Sequence, residues 1–390
     1  MGGVKADSRR PGAQNHLANV RIMFHSPGMS DDARTLLPGQ RLRARGAREN
    51  PAGRFEPERR EAVADGWDLP EDDRLVCTEV RIERPRSGIS YNRSPDLPFD
   101  RSVNPYRGCE HGCAYCYARP SHAFLNLSPG VDFETRLIAR PGIDAVLAQE
   151  LRAKSYSPAP IALGTNTDPY QPCEAEHRVT RGVLEVLRDF HHPVAIVTKG
   201  TLIERDIDIL GPMGQAGLAR VGVSVTTLDA PLARQMEPRC PPPARRLETI
   251  RRLAEAGVPV RVMVSPVVPG LTDTELEAIL KAARDAGATS ASWIMLRLPL
   301  EVAALFRDWL AEHRPGEAAK IMARVRELHG GRDYDPEFGR RMRGRGVWSD
   351  LMDQRFRKAL TRLGLTERQP PMDTGRFCPP PRPGDQLTLL

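Results

Sequence analysis

The chain has 390 residues, 40% of them apolar and 27% charged, a balance typical of a globular protein with one large domain or two ordinary ones. Its net charge of +7 permits a polyanionic partner without requiring one. The composition excludes an integral membrane protein and predicts a cytoplasmic one, because no run of about 18 apolar residues is present and no apolar signal segment opens the chain.

The two ends of the chain differ in composition from its middle. Residues 1–75 are rich in Arg, Gly, Pro and acidic residues and show little periodicity, which predicts a flexible or surface-wrapping arm. The basic patches of this arm either contact nucleic acid or simply cover the body of the protein. Residues 316–370 are predicted to form an Arg-rich helical extension, and the Pro-rich residues 371–390 an extended tail.

Between these ends, short β-branched runs alternate with helical patterns. In chain order, the patterns predict helix 142–154, strand and loop 160–170, helix 177–190, strand 193–200, helix 202–213, strand 219–229, helix 244–257, strand 258–270, helix 273–287 and strand 291–299. Apolar strands separated by helices indicate parallel pairing through βαβ units. With one strand before residue 109 the count is about six, which predicts an open or partial α/β barrel over residues 76–315; a doubly wound sheet is the alternative.

Polar residues recur where the predicted strands end. They are Thr165, Asn166, Thr167, Asp168, Lys199, Ser224, Thr226, Asp229, Ser265 and Arg297. The carboxyl ends of parallel strands form one rim of the fold, where substrates bind. Each of these residues taken singly is a candidate helix cap or turn residue, but their recurrence over several strands predicts a shared binding rim.

Three of the seven cysteines lie within eight positions of one another, at Cys109, Cys113 and Cys116. A zinc site completed by His111 or His122 is one alternative, although ligands so close on one loop differ from the paired knuckles of structural zinc. An iron-sulfur cubane takes one thiolate per iron, so three thiolates leave the fourth iron open to an exchangeable ligand.

The spacing Cx3Cx2C, with Tyr115 directly before the last cysteine, resembles the signature of the radical S-adenosylmethionine (SAM) superfamily. The stretches "SVNPYRGCEHGCAYCYARPSHAF", "GTNTDPYQPCE", "SVTTLD", "SPVVPGLTD" and "LRLP" are similar to a bacterial group related to spore photoproduct lyase and often labelled DNA repair photolyase. This resemblance covers roughly residues 85–315. It implies a partial (βα)6 barrel of the TIM type, with an N-terminal extended arm and C-terminal helices around it.

The resemblance also implies cofactors and a partner. A [4Fe-4S] cluster binds S-adenosyl-L-methionine through the amino and carboxylate groups at its open iron. An electron from the reduced cluster then cleaves a sulfur–carbon bond, giving methionine and a 5′-deoxyadenosyl radical that abstracts hydrogen from the substrate. A reductase, flavodoxin or ferredoxin is expected to donate that electron.

Site residues follow from the same resemblance, position by position. At the cluster, the resemblance implies ligation by Cys109, Cys113 and Cys116, with Tyr115 packed beside it. For the methionyl part of SAM, it implies that Lys199 contacts the carboxylate and that the amino group is contacted by Thr165, Asn166, Thr167 and Asp168. For the ribose, it implies a hydrogen bond from Ser224, with Thr226 nearby. Glu237 and Arg239 are expected to form an ion pair, either bracketing the cofactor or purely structural. Arg297 either faces a substrate phosphate or carboxylate or caps a helix.

Tyr115 and Tyr117 match a tyrosine pair that flanks the last cluster cysteine in the lyase, which makes Tyr117 a candidate catalytic residue. The lyase also needs a cysteine near the end of the second strand, which donates a hydrogen atom. In this chain the corresponding stretch is "ALGTNTD", which contains no cysteine. Cys173 and Cys240 either face the cavity or are small buried apolar residues. This departure argues against repair of spore photoproduct, but not against radical initiation.

The substrate class is less closely defined by the sequence. Residues 338–360 interleave arginines with aromatic residues, namely Arg340, Arg341, Arg343, Arg345, Arg355 and Arg357 with Phe338, Trp348 and Phe356. This pattern fits either nucleic-acid binding or an amphipathic helix that covers the barrel with its arginines in water. Three hypotheses follow: a radical SAM enzyme acting on DNA or RNA, a radical SAM enzyme acting on a protein or small metabolite, and a non-enzymatic zinc-stabilised binding protein.

Overall fold

A computed structural model describes residues 45–47, 49–55 and 77–381. The strands in these ranges are β1 (Glu79–Ile82), β2 (Ile89–Tyr91), β3 (Arg101–Val103), β4 (Tyr106–Arg107), β5 (Arg136–Ala139), β6 (Ile161–Leu163), β7 (Val194–Thr198), β8 (Ala219–Ser224), β9 (Val260–Val267) and β10 (Ser290–Met295). The helices are α1 (Asp132–Thr135), α2 (Ile143–Leu151), α3 (Glu174–His177), α4 (Val179–Asp189), α5 (Ile207–Gln215), α6 (Ala230–Met236), α7 (Pro243–Glu255), α8 (Leu276–Asp285), α9 (Val302–His313), α10 (Ala318–Leu328) and α11 (Val347–Leu363).

The main sheet contains six parallel strands that lie side by side in chain order, β3, β6, β7, β8, β9 and β10. Strand β2 pairs antiparallel with β3 at one edge, and β10 forms the other edge, so the sheet is open. The predicted α/β fold with about six parallel strands is therefore confirmed. The doubly wound alternative is wrong, because that fold reverses its strand order at a switch point and this sheet does not.

The core explains why these segments become strands and helices. β-Branched side chains of the central strands, such as Val194, Ile196, Val221 and Val262, are almost fully buried between the sheet and the surrounding helices. The helices place an apolar stripe on the sheet, as in α4, where Val183, Leu184 and Leu187 are buried. Burial of each such side chain contributes about 1.5–3 kcal/mol.

Strand β4 belongs to a small sheet in which β5 lies between β1 and β4. The first of the three cysteines, Cys109, follows the end of β4 by two residues, and the loop that carries all three begins there. A piece of the N-terminal arm lies on this loop. The backbone amides of Gly46 and Ala47 donate to the Glu134 carboxylate at 2.9 and 2.8 Å. A Cβ atom at position 46 would lie 1.6 Å from the carbonyl oxygen of Gly112, so only glycine fits here. The rest of the predicted arm lies largely outside the described residues.

The C-terminal region packs along the edge strand β10. The Ala291 amide donates to the Thr366 carbonyl and the Met295 amide to the Met342 carbonyl, both at 2.9 Å. Helix α11 packs on α8 and buries Met352 and Phe356. Of the helices in the described ranges, none has the length and hydropathy that a bilayer span requires.

Candidate active site

The cysteine loop is held in shape by a buried guanidinium group. Arg119 donates from Nε and Nη2 to the Cys113 carbonyl at 3.0 and 2.9 Å, and from Nη1 to the Gly130 carbonyl at 2.9 Å. Its charge is balanced by an ion pair with Glu134, and both side chains are fully buried. The same Glu134 carboxylate accepts the amides of the arm residues, so one carboxylate joins the loop to the arm.

The three thiols suit a cluster better than a single metal ion. Cys109 and Cys113 are each 7% exposed, and Cys116 packs against the apolar side chains around both of them. Among the residues of the described ranges, no three His, Cys, Asp or Glu side chains converge on one point that a metal ion could occupy. A cubane differs, because each thiolate bonds a separate iron and the sulfur atoms do not share a centre. Three thiols on one buried loop are the donors that a cubane with one open iron requires.

The histidines proposed for a zinc site have other partners. The Nδ1 atom of His111 lies 3.3 Å from Asp168, and the Nε2 atom of His122 lies 3.0 Å from the Arg136 carbonyl. Burial lowers the pKa of His122 to about 4. Each of these contacts uses only one of the two nitrogens of its ring, as the outer contact of a metal-bound histidine also does, so metal analysis has to decide between zinc and a cluster.

A further thiol lies beside the loop. The Sγ atom of Cys240 is 4.0 Å from the Sγ atom of Cys113, and the hydrogen bond from Cys240 lowers the pKa of Cys113 to about 7. Burial acts in the opposite direction, and the charge of Lys199 adds to the lowering. Cys173, in contrast, lies just before α3 and packs against the main hydrophobic core. Of the two cysteines singled out from the sequence, the structure brings only Cys240 to the cysteine loop.

The two tyrosines that flank Cys116 have contrasting environments. Tyr115 is buried, and its hydroxyl donates to the Glu237 carboxylate and lies 3.3 Å from Thr226 Oγ1. Tyr117 is 45% exposed, and its hydroxyl donates to the Thr165 carbonyl at 2.5 Å. The loop is thereby attached to the carboxyl ends of two strands, β8 and β6.

Each of these tyrosine rings lies next to a cation from another strand end. The Lys199 Nζ atom lies 5.8 Å from the Tyr115 ring centroid, and the Arg297 guanidinium lies 4.9 Å from that of Tyr117. Burial alone would lower the pKa of Lys199, but the charges of Cys113, Glu237 and Cys240 raise it overall. Within the described ranges, neither Lys199 nor Arg297 forms an ion pair with a carboxylate.

Glu237 joins the loop to the barrel, but through a partner other than the one predicted. It accepts a hydrogen bond from Thr226 Oγ1 at 2.7 Å and forms a buried ion pair with Arg246. Burial raises the pKa of Glu237, but the charges of Arg246 and Lys199 outweigh this effect and lower the pKa to about 2. The predicted pair with Arg239 is wrong, because the backbone amide of Arg239 donates to the His111 carbonyl of the loop and its side chain pairs with Glu110 at 3.0 Å.

Arg246 was missed in the sequence, although a signal for it exists. In α7 it occupies the same stripe as the buried Ile250 and Leu253, a position where an apolar residue is normal. A charged residue on the buried stripe of a helix requires a buried partner. Here its partner is Glu237, and its Nη1 atom also donates to the carbonyl of Ser224 at 3.2 Å.

The loop after β6 is also fixed by internal hydrogen bonds. The Asp168 carboxylate accepts from Thr198 Oγ1 at 2.6 Å and from the backbone amide of Lys199 at 2.7 Å, and it faces His111. Burial opposes ionisation, but these contacts lower the pKa of Asp168 to about 2. The hydroxyl of Thr167 donates to the Tyr106 carbonyl at 3.0 Å. Asp168 therefore orients the end of β7 and the cysteine loop, while the half-buried Thr165 and Asn166 complete the predicted segment.

Comparison with known proteins agrees with this geometry. Residues 103–283 match the Radical SAM superfamily. The chain belongs to that superfamily. As a radical SAM enzyme, it shares its fold with spore photoproduct lyase, at a TM-score of 0.54 and 14% identity over 74% of this chain and 81% of the lyase chain.

Two sequence relatives of this radical SAM enzyme have no assigned activity. An uncharacterised protein of Mycobacterium tuberculosis is 39% identical over 278 residues, which cover 70% of this chain and 79% of the relative. An uncharacterised protein of Methanocaldococcus jannaschii is 26% identical over 205 residues, covering 52% and 72% of the two chains. The family assignment therefore leaves the reaction to be inferred from the site.

Proposed function

We propose that Cys109, Cys113 and Cys116 hold a [4Fe-4S] cluster, and that the enzyme cleaves SAM reductively in order to act on nucleic acid in the cytoplasm. The proposal is supported by one arrangement above all: three free thiols on a braced, buried loop, with a half-buried lysine near them that has no carboxylate partner in the described ranges. When bound and reduced, the cluster and SAM supply a 5′-deoxyadenosyl radical. The electron would come from a reductase, flavodoxin or ferredoxin.

The side chains around the loop suit the parts of SAM. Lys199 offers a point charge for the methionyl carboxylate. The oxygen atoms of Thr165 and Asn166 suit the cationic amino group. Ser224 and Thr226, at the end of β8, are buried hydroxyls suited to the ribose. Glu237 holds the Tyr115 hydroxyl in place, so that the ring can pack beside the cluster.

Nucleic acid is favoured by exposed aromatic side chains that lie next to arginines. The Phe55 and Phe124 rings lie 5.3 Å apart. Arg54 lies within 6 Å of both centroids but pairs with Glu301 at 3.0 Å, so here the rings, rather than the cation, suit a nucleic acid. Arg297 lies over Tyr117, and Phe124 is 72% exposed. Aromatic faces that stack bases and cations that hold the backbone are typical of surfaces that bind single strands. The net charge of +7 agrees with a polyanionic partner.

The experiment that tests this function starts with anaerobic reconstitution with iron and sulfide. The protein is then reduced with dithionite in the presence of SAM, with and without single-stranded or duplex oligonucleotides, and 5′-deoxyadenosine is measured. We expect its formation to be stimulated by nucleic acid and abolished in Cys113→Ser. Cys378→Ser is the matched control, because Cys378 is exposed and lies in the C-terminal tail.

The alternatives give different results in the same assay. Formation of 5′-deoxyadenosine that no oligonucleotide stimulates would favour a protein or small metabolite as the substrate. A colourless protein that binds zinc and leaves SAM intact would overturn the enzymatic function altogether.

A further inference from the structure

Arg297 follows β10 and reaches the rim beside the cysteine loop. Its guanidinium carbon lies 4.9 Å from the ring centroid of Tyr117, the residue next to Cys116, and 6.0 Å from that of Tyr334. Tyr334 belongs to the segment between α10 and α11, outside the barrel strands. Arg297 thus lies between an aromatic ring of the cysteine loop and one of the C-terminal extension.

The hydrogen-bonding capacity of this arginine is largely unused. Its Nη2 atom lies 3.4 Å from the Tyr334 hydroxyl and its Nη1 atom 3.3 Å from the Met342 sulfur, both of which are neutral acceptors. Its Nε atom is buried and has no hydrogen-bond partner. A half-buried cation that lacks an anionic partner is costly, because it has lost part of its hydration without gaining a counter-charge. An anionic ligand would remove that cost.

The chemistry of the ligand follows from the two groups presented together. A guanidinium offers donors in a planar fork that matches the oxygens of a phosphate. Tyr117 adds an exposed aromatic ring, and its hydroxyl is already engaged by the Thr165 carbonyl, so the ring is held in one orientation. A phosphate next to a flat ring system is the combination found in a nucleotide, and a ring fixed in advance stacks a base at low entropic cost.

We infer that Arg297, held between Tyr117 and Tyr334, binds a backbone phosphate of the nucleic-acid substrate at the rim beside the cysteine loop. This inference rests on the proposed function and names the residue that positions its substrate. It also distinguishes Arg297 from Lys199, which lies over the other tyrosine and is assigned to the cofactor.

The test measures binding of a fluorescein-labelled single-stranded oligonucleotide to the full-length reconstituted protein over a range of KCl concentrations. In Arg297→Gln we expect affinity to fall about tenfold, and the slope of log K against log salt to become shallower by about 0.7, the value for one phosphate contact on a single strand. Arg357→Gln is the control, because Arg357 is 72% exposed and paired with Asp353. It should leave both quantities unchanged.

Arg297→Lys keeps the inference testable should the glutamine variant fail to fold. Lysine retains one phosphate contact but not the planar fork, so the salt slope should stay as in the wild type while affinity falls about fivefold. Wild-type affinity and salt slope in folded Arg297→Gln, or wild-type affinity in Arg297→Lys, would overturn the assignment. If the wild type binds oligonucleotide and is stimulated by it, such a result removes only the role of Arg297. If the wild type neither binds nor responds, nucleic acid as the substrate class fails, and the inference with it.

Discussion

The cysteine loop and the Arg-rich residues 338–360 both combine cations with aromatic rings, yet they differ in how the cations are neutralised. Most arginines of the C-terminal segment have acidic partners: Arg340 pairs with Glu337, Arg341 with Asp96, Arg343 with Asp353 and Glu367, Arg355 with Glu277, and Arg357 with Asp353. At the loop, Lys199 and Arg297 have no such partner in the described ranges. The pairing of charges, rather than their number along the sequence, indicates where an anion can bind.

The two regions also differ in how much an ion pair contributes to the stability of the folded protein. The Arg340 and Arg357 pairs lie at the surface, where water screens them and each contributes about 0–1 kcal/mol. Glu237 and Arg246 are both buried, so removal of either leaves an uncompensated charge in the interior. Substitutions should therefore have large effects next to the cysteine loop and small ones in the C-terminal segment.

The largest effect is expected for Arg246→Met, which leaves the Glu237 carboxylate buried without its cation. The free energy of unfolding of the metal-free protein, measured in urea, should fall by about 3–5 kcal/mol. Arg251→Met on the same helix is the control, because Arg251 is exposed and should change stability by no more than about 0.5 kcal/mol. Equal losses in the two variants would contradict the contrast between buried and surface pairs.

A buried histidine tests the same principle far from the loop, through pH. His192 accepts the Tyr156 hydroxyl at Nε2, and burial lowers its pKa to about 4, below the value near 6.5 of a free histidine. Its contribution to stability is therefore complete above pH 6.5 and is lost as the pH falls to 4.

This loss should amount to about 1.4 kcal/mol per pH unit, or roughly 3 kcal/mol in total. Urea unfolding at pH 7 and pH 4.5 should show a smaller loss on acidification in His192→Gln than in the wild type. The neighbouring exposed His191 provides the control, and His191→Asn should lose as much stability as the wild type. A wild-type pH dependence in His192→Gln would show that this ring does not titrate as inferred.

An intermediate effect is expected where the arm meets the loop. Gly46→Ala would place a Cβ atom against the Gly112 carbonyl oxygen, so residues 45–47 must move away and leave Glu134 without two amide donors. The expected loss is about 1–3 kcal/mol, with faster hydrogen exchange in residues 45–47 and 49–55. Gly316→Ala, where a Cβ atom meets nothing within 4 Å, should change neither measurement.

The smallest effect is expected for the double variant Arg340→Gln/Arg357→Gln. Because both side chains are exposed and paired, stability should stay within about 0.5 kcal/mol of the wild type. Oligonucleotide affinity should change by less than about twofold. A large loss of affinity would mean that this segment binds nucleic acid in spite of its paired charges, and would remove the contrast with the loop.

Much of the fold was predictable because its signals are local. β-Branched runs and helical stripes placed five of the six parallel strands, whereas β3 was expected before the cysteine loop without a position. The polar residues that follow the strands, such as Lys199 and Arg297, do lie near the cysteine loop. The prediction for residues 202–213 was less complete, because this stretch begins as a 3-10 helix over Thr201–Asp206 and continues as α5.

Contacts between distant residues were not predictable in the same way. Glu134 binds backbone amides of the arm, and a backbone amide has no sequence signature. The choice of Arg246 over Arg239 as the partner of Glu237 depends on which way each side chain points, and that follows from the path of the chain after α6. The half-buried ring that contacts Arg297 from the other side, Tyr334, comes from the C-terminal extension, and no local sequence pattern predicts where that extension packs.

The hydrogen bonds from Ala291 and Met295 to the C-terminal region have a consequence for the behaviour of the whole molecule. An outermost strand with free amides is a template onto which strands of other molecules can add, and proteins commonly shield such strands. Here the carbonyls of residues 342 and 366 accept hydrogen bonds from these two β10 amides. The strand at the opposite edge of the sheet, β2, is only three residues long. The C-terminal extension thus protects the open barrel from intermolecular strand addition. This shielding favours solubility and is separate from any role in binding substrate.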